Sequence, residues 1–179
     1  ATNMVNGRPT IYLSNNPTMT KPSASRDWYV DTTNHTDQTA FIVANGVGSG
    51  YQNGLFHSSD GASSTYAFYI AYNGNIIWSQ GSNTLTCTTD MATNWCVLRF
   101  QRSGNAAAIY KNGILLTNAT FAGTGNVPTG SFNLGFLDNM NLGMGINYNY
   151  ALSSTDITTV ETYLNSLFAI TPGITISES

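Results

Sequence analysis

Charge is what this 179-residue chain has least of: Asp, Glu, Lys and Arg make up 8% of it, with six basic residues against nine acidic ones and a net charge of −3. So sparse a basic complement excludes a phosphate-binding surface, which needs clustered Lys and Arg, and gives no electrostatic grip on an anionic membrane. Cysteine occurs only twice, as Cys87 and Cys96, so no disulfide framework holds the fold. No apolar stretch approaches the ~20 residues of a membrane span, and the first residues, "ATNMVNGRPT", do not combine a basic segment with an apolar core. Glutamate is limited to Glu161 and Glu178. The two histidines, His35 and His57, fall in segments that read as loops, and neither belongs to a zinc-spaced cluster.

Solubility rests instead on uncharged polar side chains: Asn, Thr and Ser together are about a third of the chain. Short apolar or alternating runs recur about every ten residues: "PTIYLS", "AFIVAN", "STYAFYIAY", "NIIWSQ", "TLTCTT", "NWCVLRFQ", "AAAIYK", "ILLTN", "SFNLGFL" and "MGINYNY". Turn residues rich in Gly and Asn separate them. In "AIYKNGILL" the pair Asn112-Gly113 has the composition of a two-residue hairpin turn, with Lys111 solvated at the strand end. In "NWCVLRFQ" Cys96, Leu98 and Phe100 alternate with Trp95, Val97, Arg99 and Gln101, giving one apolar and one mixed face. Cys87 and Cys96 bracket a turn-rich segment; if it is a hairpin they face one another and can bond, and otherwise they are free thiols.

Residues 151–168 break the β rhythm. Ile157, Val160, Leu164, Leu167 and Phe168 recur at helical spacing, and Ser153 with Asp156 resembles a capping box. The spacing predicts an amphipathic helix that depends on tertiary packing, because its many Thr residues are weak helix formers. The remainder, 169–179, reads as a tail or linker.

The order of these signals resembles a known family. The strand and hairpin "WCVLRFQRSGNAAAIYKNGILL" is similar to laminin-G-like members of the concanavalin A-like lectin and glucanase superfamily. The closing stretch "GSFNLGFLDNMNLGMGINYNYALSSTDITTVETYL" resembles that family's Leu-Gly strand, Gly-rich strand and Ala-Leu-Ser helix start. The resemblance implies an all-β, two-sheet antiparallel jelly-roll sandwich over residues 1–168, closed by one short helix. "NGRPTIYLSNNPTMT" resembles an entry strand that follows an earlier segment, so Ala1 is expected to be a boundary inside a longer protein.

This fold hosts lectins, adhesion modules, hydrolases and lyases, so function must be read from residues. Glycoside hydrolysis needs two flanking carboxyl groups, and no strand carries a carboxylate pair at two-residue spacing. Asp27, Asp31, Asp37, Asp60, Asp90, Asp138 and Asp156 fall mostly in loops or at the helix start. The histidines lack the strand pattern of jelly-roll lyases. No catalytic residue is therefore assigned. Calcium is the one candidate cofactor, through loop oxygens at Asp138 in "LDNMN" and Asp60 in "HSSDG"; side-chain turns with their own backbone are the competing account of both. Sugar binding needs an aromatic face beside polar groups, for which Tyr51, Tyr72, Trp78 and Asn139 are the candidates, with core packing as the alternative for each ring.

The expectation is a non-enzymatic, lectin-like recognition domain for a glycan or host surface, exposed on a virion, cell surface or other extracellular assembly. Its composition resembles phage fibre, tail and capsid-decoration proteins. Expected partners are glycans and neighbouring subunits, including further copies of the chain, with no nucleic acid and no membrane insertion. The alternatives are a structural or protein-interaction module that binds no sugar, and a polysaccharide lyase or hydrolase.

Overall fold

A computed structural model of the chain describes residues 4–5, 8–9, 11–13, 37–45, 53–58, 66–70, 75–80, 82–88, 94–122, 132–136, 140–148 and 150–171. In chain order the strands are β1 (Met4–Val5), β2 (Arg8–Pro9), β3 (Ile11–Leu13), β4 (Gln38–Asn45), β5 (Asn53–Ser58), β6 (Tyr66–Ile70), β7 (Asn75–Gln80), β8 (Asn83–Thr88), β9 (Cys96–Ser103), β10 (Ala106–Lys111), β11 (Ile114–Thr120), β12 (Phe132–Phe136) and β13 (Met140–Tyr148). One helix, α1 (Ser154–Phe168), follows. β1 and β2 pair with each other; the other strands form a six-stranded sheet, β11-β10-β9-β4-β13-β3, and a five-stranded sheet, β12-β5-β6-β7-β8. All pairings are antiparallel. The molecule is the expected two-sheet jelly-roll sandwich with a C-terminal helix.

The period-2 alternation decides which side chains fill the space between the sheets. Ala40, Ile42 and Ala44 of β4, Ile76 and Trp78 of β7, Leu85 of β8, and Leu98 and Phe100 of β9 form one core cluster with Ala107, Ile109 and Phe121. The other faces of β4 and β9 contribute Phe41, Val43 and Val97 to a second cluster, closed by Leu152, Leu164, Phe168 and Ile170. The six-stranded sheet is thus covered on both faces, one by the other sheet and one by α1. This is why Thr39–Ala44 is buried without interruption instead of alternating.

The helix starts where the sequence predicts. The Ser153 hydroxyl accepts a hydrogen bond from the Asp156 amide at 3.2 Å and donates to Asp156 Oδ2 at 2.6 Å. Leu164 and Phe168 are its buried residues, with Ile157, Val160 and Leu167 packed around them. At its end Ala169 takes a left-handed conformation, φ 53°, and the Ile170 amide donates to Asn165 O at 2.9 Å. Ile170 is buried in the helix-side core, so packing continues two residues past the domain boundary expected at 168.

Phe168 settles over Gly143, which sits at an irregularity in the pairing of β13 with β4. A Cβ at Gly143 would lie 2.6 and 2.9 Å from Phe168 Cε1 and Cζ and 3.1 Å from Val43 Cγ1. Gly143→Ala is therefore expected to push the ring out of place and destabilise the fold by about 1–3 kcal/mol. Thermal unfolding checks this: Gly143→Ala/Phe168→Leu should recover part of the loss, and an unshifted midpoint in the single variant would mean the ring is not seated there.

The Asn112-Gly113 turn has the positive φ at both positions, 51° and 84°, that a type I′ hairpin demands. Asn112 also extends β9: its amide donates to Val97 O and its Oδ1 accepts from the Val97 amide, each at 2.8 Å. The segment from Cys87 to Cys96 is not a hairpin. β8 belongs to the five-stranded sheet and β9 to the six-stranded one, so the segment crosses between sheets and both thiols are free.

Candidate functional site

Strand register locates the loops that the sequence singles out. Asn53 pairs with Ile70, Gly54 with Phe136, and Asn75 with Thr88, so these strand ends share one end of the five-stranded sheet. In the six-stranded sheet Ala44 pairs with Cys96, Asn45 with Asn141, and Leu98 with Lys111, which defines the matching end. The chain crosses between the two ends at 45–53, 88–96 and 136–140. The shortest crossing, Phe136 to Met140, can reach at most about 14 Å, so the two ends form a single rim.

Tyr51, Tyr72, Asp138 and Asn139 lie outside the described residues, as does Asp60. Their flanking strand ends are nevertheless informative. Asn53, Ile70 and Phe136, the nearest described neighbours of Tyr51, Tyr72 and Asp138, all belong to this rim. Ser58, the nearest before Asp60, pairs with Phe132 at the opposite end of the sheet. In the sequence, the two calcium candidates thus follow strand residues, Ser58 and Phe136, that lie at opposite ends of the five-stranded sheet. Among the described residues no three His, Cys, Asp or Glu side chains come together.

Trp78 requires a correction. Its side chain is 0% exposed, in edge-to-face contact with Phe100 at 6.1 Å and Phe121 at 5.1 Å between ring centroids. Trp78 faces inward with Ile76, on the side of β7 that meets the other sheet, so its ring has no free face for a sugar. The Asn75–Gln80 run alone does not say which alternating set faces in. A second correction concerns His57, which is a residue of β5, paired with Ala67 and Asn133, rather than of a loop.

Several described side chains stand at or beside the rim. Trp95, half-buried just before β9, stacks on Phe168 with centroids 5.9 Å apart and planes 22° from parallel. Cys96 is buried, its Sγ 3.6 Å from Ala44 O, and burial pushes the thiol up to about 12 against a smaller opposing pull from Lys111. Burial also raises the Cys87 thiol, with a backbone hydrogen bond from Ile76 acting the other way. Both stay protonated at neutral pH and are poor nucleophiles or metal ligands.

A charged group among the described residues lies on the outer face of the six-stranded sheet, under α1. Arg99, 6% exposed, donates through Nε to Glu161 Oε1 at 2.8 Å and through Nη1 to Gln101 Oε1. Its guanidinium lies 3.5 Å from the Tyr110 ring centroid. Gln101 in turn reaches Leu152 O at 3.5 Å, and a Cβ on Gly113 would lie 3.4 Å from Glu161 Oε2. These contacts join helix, sheet and hairpin turn. They satisfy a buried cation. The alternation of β9 places Arg99 on the mixed face, but only the fold supplies Glu161, 62 residues away.

No protein-family model and no curated protein sequence matches the chain. Solved structures do share its fold. A botulinum neurotoxin type C structure, concerned with cell entry through interaction with two ganglioside molecules, is similar with a TM-score of 0.58 at 12% identity, over 72% of this chain and 36% of that one. The binding domain of botulinum neurotoxin DC in complex with rat synaptotagmin II gives a TM-score of 0.58 at 13% identity, over 75% and 37%. A Trypanosoma rangeli sialidase in complex with a difluorinated KDN gives 0.56 at 11% identity, over 75% and 24%. The chain spans about a quarter to two fifths of these structures. At such identities the likeness establishes the antiparallel β-sandwich.

Proposed function

We propose that this is a non-enzymatic, lectin-like recognition domain of the laminin-G-like kind, which binds a glycan or host-surface ligand at the rim that gathers the strand ends next to Tyr51, Tyr72 and Asp138. The observation that carries the reading is the shared fold with toxin structures, one of them concerned with two ganglioside molecules and one a binding domain. The charge-poor, Asn-, Thr- and Ser-rich composition supports it, since hydroxyl and amide groups match sugar hydroxyls without ionic attraction. Weak single sites on such a module become effective when many copies are displayed, as on a phage fibre, a capsid or a cell surface.

A glycan array probed with a multivalent display of the domain tests this, run with calcium and again with a chelator. Binding to a restricted set of glycans is expected, and its loss in chelator would place calcium in the site, with Asp138 and Asp60 the residues to mutate. No glycan bound in the presence of calcium would count decisively against the reading. The neurotoxin DC complex with synaptotagmin favours a protein ligand as the second reading. Release of reducing ends or unsaturated products from a glycan panel would move the assignment to an enzyme.

A further inference from the structure

We propose that the flank formed by β11 and β8 is a self-association surface, on which two copies pair β11 with β11, antiparallel, about a two-fold axis. β11 ends the strand order of the six-stranded sheet and β8 ends that of the five-stranded sheet. The two end strands lie against each other, and the Asn83 side chain fastens them by donating to Ala122 O at 2.9 Å and accepting from the Ala122 amide at 2.8 Å. Among the described residues β11 is hydrogen-bonded along one side only, so its other side presents backbone donors and acceptors that another strand can match.

Side-chain chemistry on this flank points to a strand partner. Ile114 and Leu115, 38% and 46% exposed, are adjacent on β11 and are two of the four exposed large apolar residues among those described. Soluble proteins usually guard an open edge with Lys, Pro or an inward charge. β11 (ILLTNAT) and β8 (NTLTCT) contain none of these.

The absence of charge selects a second copy. Across a two-fold axis each patch meets itself, so a patch of one sign repels its own image. Neither β11 nor β8 contains a charged residue to repel its image, and Lys111 of β10 pairs with Ile114 at the turn end of the strand. Seven residues paired about their centre put Thr117 opposite Thr117, Leu115 opposite Ala119 and Ile114 opposite Thr120. Each exposed apolar side chain then faces a small or β-branched one. The irregular pairing of β11 with β10 lies toward the Ile114 end, so in this register the regular Thr117–Thr120 half of each copy faces the irregular half of the other.

Sedimentation and light scattering from about 1 μM to about 1 mM, the span in which weak complexes populate, should show a reversible monomer–dimer equilibrium. This test involves no ligand, so it succeeds or fails independently of glycan binding. Leu115→Lys/Asn118→Lys places like charges along the seam and is expected to weaken the dimer at least tenfold while leaving the thermal midpoint of the monomer in place. If that double variant does not fold, Asn118→Lys, at an exposed position, is used alone. Mixing the Lys variant with Leu115→Glu/Asn118→Glu should restore a one-to-one complex. A wild type that stays monomeric throughout, grows beyond the dimer, or dimerises equally well with the lysines present would overturn the proposal, as would oppositely charged variants that fail to combine.

Discussion

Trp78→Ala is expected to destabilise the protein by about 3–5 kcal/mol, the range for emptying an aromatic site in a packed core. Trp78 is 0% exposed and touches the rings of Phe100, from the opposite sheet, and Phe121, which follows β11. Its removal therefore loosens three chain segments together. In a domain of this size that loss lowers the melting midpoint by on the order of 10 °C. Trp78→Phe keeps an aromatic ring in edge-to-face reach and should recover much of the loss. The comparison also separates two roles for this residue. A surface tryptophan that stacks on sugar loses ligand on mutation and keeps its midpoint; an unchanged midpoint for Trp78→Ala would therefore contradict its place between the sheets.

Glu161→Leu is the second large effect. It removes the carboxylate from Arg99 and leaves a guanidinium, 6% exposed, with Gln101 and the Tyr110 ring for company. Breaking one side of a buried pair costs about 3 kcal/mol, chiefly because the remaining charge is stranded away from water. Arg99→Met/Glu161→Leu removes both charges and restores apolar packing, and its stability should lie within about 1 kcal/mol of wild type. Denaturant unfolding of the two singles and the double closes the cycle. If Glu161→Leu alone costs under about 0.5 kcal/mol, the pair behaves as a solvated surface bridge and does not fix α1 to the sheet.

The parts of the fold legible in the sequence are those set by local chemistry. The Asn112-Gly113 turn follows from positive φ, the start of α1 from Ser153 and Asp156, and the inward face of β9 from strict alternation. β5 was not legible, because "NGLFHS" has only two adjacent apolar residues and opens with a turn-forming pair. The crossing between Cys87 and Cys96 was misleading for a related reason: Thr- and Asn-rich connections look alike whether they turn back within a sheet or pass to the other one. Trp78 shows the limit for the site, since its inward orientation depends on which sheet covers β7. Tyr51, Tyr72 and Asp138 lie outside the described residues, and the strand ends that flank them in the sequence come together only through pairings that join Gly54 to Phe136 and Asn45 to Asn141.

The sheet order also governs assembly. β6, β7 and β8 follow one another as neighbours, and so do β9, β10 and β11, so each meander can form from nearby chain. β4, buried from Gln38 to Ala44, instead pairs with β9 and β13, whose residues come roughly 50 to 110 positions later. Both pairings require large loops to close before any burial rewards them, which makes their formation slow. The apolar run Ala40–Ala44 must therefore wait, exposed, until Met140–Tyr148 arrives beside it. A strand that is fully covered in the finished molecule is thus open to misassociation while the chain is still folding.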